Sequence, residues 1–178
     1  YVIDLGGGTF ATMLDLPHLA GVDGLLQGAR LFGAPRRRLL RLRHFGPDRA
    51  RRTAVCAAET AGGWVTGFGM GGAESVGRAT DYAWSFDCAR EAGLGLTCHA
   101  GEWRGPESIR DALSLGCTRI GHGVRATEDP GLVRALADKA VTLEVCPGSN
   151  VALGVYPDWQ SHPVARLADA GVRVTVST

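Results

Sequence analysis

Residues 94–123 read LGLTCHAGEWRGPESIRDALSLGCTRIGHG and contain one complete strand–helix–strand unit. The apolar run Leu94–His99 predicts a strand, and Arg119–Gly123 predicts the next one. Pro106 and Gly116 bracket the stretch between them, as proline and glycine commonly do at the start and end of a helix. Strands joined by a helix are typical of a parallel sheet covered by helices. This unit therefore predicts an α/β protein.

The same alternation extends along the whole chain. Strand-like runs end at positions 44, 72, 99, 122, 146 and 178, so one βα unit recurs every 23–32 residues. This regularity favours a (β/α)₈ TIM barrel over a doubly wound sheet, but a complete barrel takes about 250 residues. We therefore expect an incomplete barrel with about seven of eight strands, forming a single domain over residues 1–178 that is truncated at both ends. The predicted strands are Tyr1–Leu5, Leu39–His44, Trp64–Gly69, Leu94–His99, Arg119–Gly123, Val141–Cys146 and Val172–Thr178.

The composition excludes several classes of protein. Lysine and arginine together number 19 against 18 aspartates and glutamates, so no charge excess favours nucleic acid or an anionic membrane. The basic run 36–43 is interpreted as a solvated strand and loop rather than a phosphate site. Five cysteines without a C-x-x-C pair indicate a reducing compartment, and no apolar run reaches the ~20 residues of a membrane helix. We predict a cytoplasmic protein that binds neither nucleic acid nor membrane.

Chemically active side chains cluster at consecutive strand ends. His99 and Glu102 follow one predicted strand, and His122 ends the next. In a barrel of this kind these groups face one mouth, and two imidazoles with a carboxyl suit metal-assisted hydrolysis. Two alternatives stay open, namely hydrogen-bonded structural histidines and a metal-free lyase that uses Glu102 and His122 as acid and base.

The other candidate groups are assigned lesser roles. Cys146 is interpreted as a wall of the site rather than a nucleophile, and Glu144 as a group behind it. Structural or loop positions are the simpler interpretation for the three remaining histidines, which are His18, His44 and His162.

A glycine pattern at positions 67, 69 and 72 satisfies G-x-G-x-x-G, which is the pattern of dinucleotide-binding turns. Such sites also need an acidic residue about twenty positions later, at the end of the next strand. The candidate, Asp87, falls in a predicted helical stretch instead. We therefore reject the dinucleotide site and interpret these glycines as a close backbone approach to a planar ligand.

Five runs, in order and at fitting spacing, resemble the successive strand-end motifs of the adenosine deaminase family. They are His99–Glu102, Arg119–Val124, Leu143–Pro147, Ser149–Val151 and Val174–Thr178. The resemblance extends more weakly back to Tyr1, and the family's first strand is the one not found. It supports the incomplete barrel predicted from the strand spacing.

The resemblance implies a zinc cofactor and a role for four residues. His99 would be a zinc ligand, Glu102 the proton donor to ring nitrogen N1 of a purine, and His122 the group that orients or deprotonates the attacking water. Gly72 would contribute a backbone contact to the purine. The implied reaction is hydrolytic deamination of adenosine, a small-molecule purine nucleoside, to inosine and ammonia.

The resemblance leaves alternatives for the substrate and for the activity itself. Family adenine deaminases tend to carry Asp where this chain has Gly121, which favours a nucleoside, while adenine, a nucleotide or another aminopurine remain alternatives. The family's H-x-H pair and its terminal aspartates have no counterpart in this sequence, so we expect the chain as given not to hold zinc tightly. A catalytically inactive fragment that acts only as a binding module is the further alternative.

Overall fold

A computed structural model of the chain describes residues 2–4, 10–12, 37–63 and 65–177. The strands are β1 (Val2–Asp4), β2 (Phe10–Thr12), β3 (Arg37–Leu42), β4 (Val65–Gly71), β5 (Gly95–Ala100), β6 (Arg119–His122), β7 (Thr142–Val145) and β8 (Arg173–Val176). The helices are α1 (Gly46–Glu59), α2 (Ala83–Glu91), α3 (Pro106–Ser114), α4 (Pro130–Asp138), α5 (Pro147–Ala152) and α6 (Val164–Asp169). Strand and helix therefore alternate from β3 onward, as the sequence predicts.

All eight strands form one sheet in the order β2-β1-β3-β4-β5-β6-β7-β8. Neighbouring strands from β3 to β8 run parallel, and this part is the arc of a (β/α) barrel. The strands β1 and β2 pair antiparallel instead. The prediction of a barrel strand at Tyr1–Leu5 is therefore wrong in its role. A hairpin-like pair needs no helical crossover, so it can lie antiparallel at the sheet edge.

The strand boundaries differ from the predicted ones by one or two residues. The third strand ends at Leu42, and the segment Arg43–Phe45 forms a short 3-10 helix that leads directly into α1. His44 therefore lies just beyond the strand end. The fourth strand continues to Gly71, which brings Gly72 to its carboxyl end. Trp64 and Thr178, at the limits of two predicted strands, and His18 lie outside the described residues.

Proline and aspartate set the helix starts. Pro106 and Pro130 occupy the first turn of α3 and α4, where a missing N–H costs nothing. Asp129 caps α4 because its carboxylate accepts the N–H groups of Gly131 and Leu132 at 2.9 and 3.0 Å. The helix predicted between Pro106 and Gly116 is thus confirmed.

The apolar core lies between the sheet and its helices. Phe68 of β4 meets Phe86 of α2 edge to face, with ring centroids 5.3 Å apart. Their neighbours on the same side of the sheet are also fully buried, among them Cys98, Ile120 and Leu143. The opposite side of the strands faces the barrel interior, so polar side chains on it point toward the site.

The fourth strand explains why the dinucleotide pattern misleads. Gly67 and Gly69 lie inside β4, paired with Gly95 and Thr97 of β5, rather than in a turn after the strand. Asp87 lies within α2 and not at a strand end. The prediction that Asp87 falls in a helical stretch is therefore confirmed.

The cysteines and the helix lengths bear on disulfide bonds and on membrane spans. All five cysteines fall in the described part, and none forms a disulfide. The longest helix there is α1 with 14 residues, and no described helix is long and apolar enough to cross a membrane.

Candidate active site

His99 is placed by the register of two strands. It pairs with Gly121 of β6, and its imidazole lies close to that glycine. A Cβ at position 121 would stand only 2.5 Å from Cδ2 of His99, so a side chain there would force the His99 ring to move. The absence of a side chain at Gly121 thus permits the close approach of His99, and the link between Gly121 and a nucleoside substrate stays a prediction.

A buried arginine fixes the backbone of His99. Arg43 is 2% exposed, and its Nη2 donates to the His99 carbonyl oxygen at 2.5 Å. The hydroxyl of Tyr82 donates to the Arg43 carbonyl at 2.9 Å and anchors this turn. The prediction that the basic run 36–43 is solvated is wrong for Arg43. A guanidinium can reach inward from a strand end when a carbonyl there needs a donor.

His122 ends β6 in a strained backbone conformation. Its φ is +66°, which is uncommon for a residue other than glycine. The following residue secures this turn, because the N–H of Gly123 donates to Ala100 O at 2.9 Å. The imidazole meets that of His99 edge to face, with centroids 4.9 Å apart. The two predicted histidines are therefore neighbours in space.

Both imidazoles are neutral at physiological pH. Burial, opposed by Glu144 and reinforced by Arg43, lowers the pKa of His99. Burial, together with the nearby His99, lowers the pKa of His122 to about 3. A neutral imidazole is the form that binds a metal ion.

Glu102 sits on a loop held by a second carboxylate. Glu74, which is almost fully buried, accepts the backbone N–H of Glu102 and that of Arg104, each at 2.8 Å. Ser108 accepts the N–H of Gly101 at 2.8 Å and completes the turn. This loop directs the Glu102 side chain toward His122, with Oε1 3.3 Å from Nδ1.

The environment of Glu102 favours its protonated form. Burial and the repulsion from Glu74 raise its pKa to about 7, against a smaller opposite effect of the Asn150 hydrogen bond. With His122 neutral, the contact between the two is not an ion pair. At neutral pH a large fraction of the Glu102 carboxyl is therefore protonated, as a general acid requires.

Asn150 connects these groups. It is fully buried within α5, the helix that follows β7, and its Nδ2 lies 3.1 Å from Oε1 of Glu102 and 3.3 Å from Nδ1 of His122. Its Oδ1 lies 3.2 Å from Nε2 of His162. His162 precedes α6, as the sequence suggests, but it also belongs to this buried network. The network comprises Glu102, His122, Asn150 and His162.

Gly72 follows β4 with φ +92°. A Cβ there would lie 3.0 Å from Nδ1 of His44 and 3.3 Å from the Arg43 nitrogen, so the backbone packs closely against the preceding strand end. His44 is exposed and stands at the same edge of the sheet as Gly72. The contact of Gly72 with a purine stays a prediction.

Glu144 has a role on the interior face of the sheet. It accepts from Arg119 Nε at 2.6 Å and from the Thr97 hydroxyl at 2.8 Å. It pairs across the sheet with Gly121, beside His99. Its charge partly opposes the lowering of the pKa that burial causes in both site histidines. This supports the prediction that Glu144 stands behind the site.

Cys146 follows β7 and does not behave as an activated thiol. Burial, with the charges of Glu102 and Glu144, raises the pKa of its thiol. A nucleophilic cysteine needs a lowered pKa instead. This agrees with the prediction that Cys146 forms part of the wall.

The described residues fit a zinc ion only in part. His99 offers a neutral imidazole at the carboxyl edge of the sheet, which is a suitable ligand. No group of three or more histidine, cysteine, aspartate or glutamate side chains able to hold a metal is present within residues 2–4, 10–12, 37–63 and 65–177. His99 therefore fits as one ligand, and the described part does not by itself close a zinc site.

The structure brings together His99, Glu102 and His122, as the strand-end argument predicts. Sequence reasoning missed Glu74, Asn150 and Arg43. Asn150 is the only asparagine in the chain and lies a few residues after a strand end. Polar residues in this position are a signal for a site residue. Glu74 lies two residues after Gly72 and carries the same signal.

Comparison with known proteins identifies the family. The family model described as adenosine deaminase matches residues 18–178. The adenine deaminase of Agrobacterium fabrum is 58% identical over 137 residues, which are 76% of this chain and 42% of that protein.

Two solved structures are similar in fold. The adenine deaminase from Arthrobacter aurescens has a TM-score of 0.75 at 30% identity, over 86% of this chain and 47% of that one. A zinc-bound amidohydrolase from Burkholderia ambifaria has a TM-score of 0.76 at 24% identity, over 88% of this chain and 45% of that one. The chain thus spans less than half the length of these proteins. By its match to the family model over most of its residues, the chain belongs to the adenosine deaminase family.

Proposed function

We propose that this chain is part of a zinc-dependent hydrolase that converts adenine and water to hypoxanthine and ammonia. The observation that carries the proposal is Glu102, a buried carboxyl with its pKa raised to about 7, placed 3.3 Å from His122 at the sheet edge that holds His99. The choice of adenine over adenosine rests on the names of the similar proteins, which are adenine deaminases.

The reaction needs a proton on the purine ring before the amino group can leave. Glu102 donates its proton to ring nitrogen N1, which makes C6 more electrophilic. Water then adds at C6 and the C6–O bond forms. One proton of the water passes to the exocyclic amine and the other restores Glu102, and the C6–N bond breaks to release ammonia. The raised pKa of Glu102 provides the proton at neutral pH.

The neighbouring residues place and desolvate the reacting groups. His122 is neutral and buried, and in this proposal it holds the attacking water by a hydrogen bond. His99 would supply one ligand to zinc, and zinc, when bound, activates a water as the nucleophile. The backbone of Gly72 would contact the edge of the purine by a hydrogen bond.

The test uses the full-length protein that contains this chain. Ammonia release is measured with adenine and with adenosine, each before and after treatment with a chelator and after zinc is restored. We expect turnover of adenine that chelation abolishes and zinc rescues. Absence of turnover with adenine refutes the proposed substrate, and turnover of adenosine alone restores the nucleoside alternative. Activity indifferent to chelation refutes the zinc requirement.

A further inference from the structure

We propose that Asn150 and His162 are positioning residues that set the tautomer of His122 and the orientation of the Glu102 carboxyl. The inference rests on the proposed function for its catalytic consequence, but its structural content does not depend on any substrate. It follows from a chain of hydrogen bonds in which each donor decides the next.

The chain of bonds starts at a backbone group with no choice of role. The N–H of Val164 donates to Nδ1 of His162 at 3.3 Å. Burial lowers the pKa of His162, so its ring is neutral and has one proton. With Nδ1 accepting, that proton is on Nε2. His162 is therefore a donor toward Asn150.

The second link fixes the amide of Asn150. Nε2 of His162 lies 3.2 Å from the side-chain oxygen of Asn150 and donates to it. The opposite orientation of the amide would set two donors against each other, because an amide nitrogen cannot accept. The Asn150 nitrogen must then face Glu102 and His122.

The backbone of Asn150 is equally constrained. Its N–H donates to the Cys146 carbonyl at 2.9 Å, and its carbonyl accepts from Val155 at 2.8 Å and from Tyr156 at 3.2 Å. The residue is fully buried. A side chain on such a segment cannot drift from its partners without local unfolding, so the amide is preorganised.

The third link reaches the reacting groups. An amide nitrogen has two protons, and here one is directed to Oε1 of Glu102 at 3.1 Å and the other to Nδ1 of His122 at 3.3 Å. Nδ1 of His122 must therefore be unprotonated, and its proton is on Nε2. Oε1 of Glu102 acts as an acceptor, which leaves Oε2 to hold the acidic proton.

Two consequences follow for the proposed reaction. His122 presents an N–H to the attacking water and orients it, rather than removing its proton through Nδ1. Glu102 presents Oε2 to the purine in a fixed orientation. Loss of the amide should thus lower kcat while KM changes little, because binding contacts to the purine remain.

The first test measures the tautomer without any substrate. Isotope-labelled histidine is introduced into the full-length protein, and nitrogen NMR reports which ring nitrogens are protonated. The His122→Gln and His162→Gln variants assign the signals. We expect unprotonated Nδ1 in both His122 and His162, and a changed His122 signal in Asn150→Leu. A protonated Nδ1 on either ring in the wild type overturns the proposal.

The second test compares turnover in matched variants. Asn150→Leu and His162→Leu should lower kcat about 10–100-fold, as is typical when a residue that orients a site group is removed. His162→Gln retains an N–H donor toward Asn150 and should recover most of kcat. Tyr156→Phe, which keeps the ring that packs on His162 at 5.1 Å and loses only its hydroxyl, should match the wild type.

The outcomes separate the two proposals. If the wild type does not act on adenine, the proposed function fails, while the NMR measurement still decides the tautomer. If the wild type is active, equal kcat for His162→Leu and His162→Gln refutes the positioning role. Should Asn150→Leu fail to fold, the two His162 variants and the wild-type spectrum decide the question alone.

Discussion

Two carboxyl groups, one on the loop after β5 and one on β7 with β6 between them, have opposite surroundings. Glu144, on the interior face of β7, faces a guanidinium at 2.6 Å and a hydroxyl at 2.8 Å. Glu102, on the loop after β5, has a second carboxylate behind it, a neutral imidazole beside it and an amide in contact. Glu144 faces a cation and a hydroxyl donor, whereas burial and a nearby carboxylate keep Glu102 near its protonated form. The partners, rather than the residue type, separate a structural carboxylate from a candidate acid.

The largest expected effect comes from removing the acidic proton. Glu102→Gln keeps the shape and the hydrogen bond from Asn150 but cannot donate a proton to the purine. We expect kcat for adenine to fall about 10²–10⁴-fold with zinc content unchanged, measured by steady-state kinetics and metal analysis of the full-length protein. Wild-type turnover in this variant would contradict the assignment of Glu102 as the acid.

A second prediction tests the glycine that separates the two carboxyl regions. Gly121→Ala places a Cβ 2.5 Å from the His99 ring, so the imidazole must move. We expect zinc affinity to fall about 10–100-fold and stability to fall by roughly 1–3 kcal/mol. Gly95→Ala on β5, whose Cβ would meet its nearest atom at 3.5 Å, is the control. Equal zinc affinity in the two variants would show that His99 is not held by Gly121.

The third prediction concerns the ion-paired carboxylate. Glu144→Gln retains an acceptor for Thr97 but loses the charge that faces Arg119. Since hydrogen bonds to charged groups contribute about 1.5–3 kcal/mol, we expect a loss of unfolding free energy of that order or less. Turnover per folded molecule should fall far less than in Glu102→Gln. Urea denaturation and kinetics on the same samples check this, and a larger catalytic loss than in Glu102→Gln would reverse the comparison.

The last prediction is a pH dependence of stability, which is expected to leave turnover per folded molecule outside the comparison. The pKa of Glu102 is about 7 in the folded protein against an ordinary value of 4.5. Between these values the folded protein holds a proton that the unfolded chain has released, so this group's contribution to stability falls as pH rises. Relative to the wild type, Glu102→Gln should therefore become more stable from about pH 4 to about pH 8.

His122 works in the opposite direction. Its lowered pKa, about 3, makes its contribution rise with pH up to its ordinary value of 6.5, and it does so in both proteins. The difference between wild type and Glu102→Gln removes this effect. Urea midpoints at both ends of the range provide the measurement, and a difference that does not change with pH would show that the pKa of Glu102 is not raised.

Much of the fold follows from short-range patterns. Apolar runs place strands β3 to β8 within two residues, and proline at the helix start with glycine after its end places α3. These signals are local, so a sequence carries them directly. The first predicted strand runs antiparallel to its neighbours instead of parallel. A pattern of apolar residues predicts a strand but does not identify the strand with which it pairs.

The site divides along the same line. That His99, Glu102 and His122 follow consecutive strands can be read from the sequence, and strand ends of a parallel sheet lie at one edge. In contrast, the contact of Glu74 with the Glu102 loop, the inward turn of Arg43 and the link that Asn150 makes between acid and imidazole are visible only in the folded protein. Those contacts span 28 to 56 residues of chain, and the burial that sets the pKa values exists only once the chain is packed.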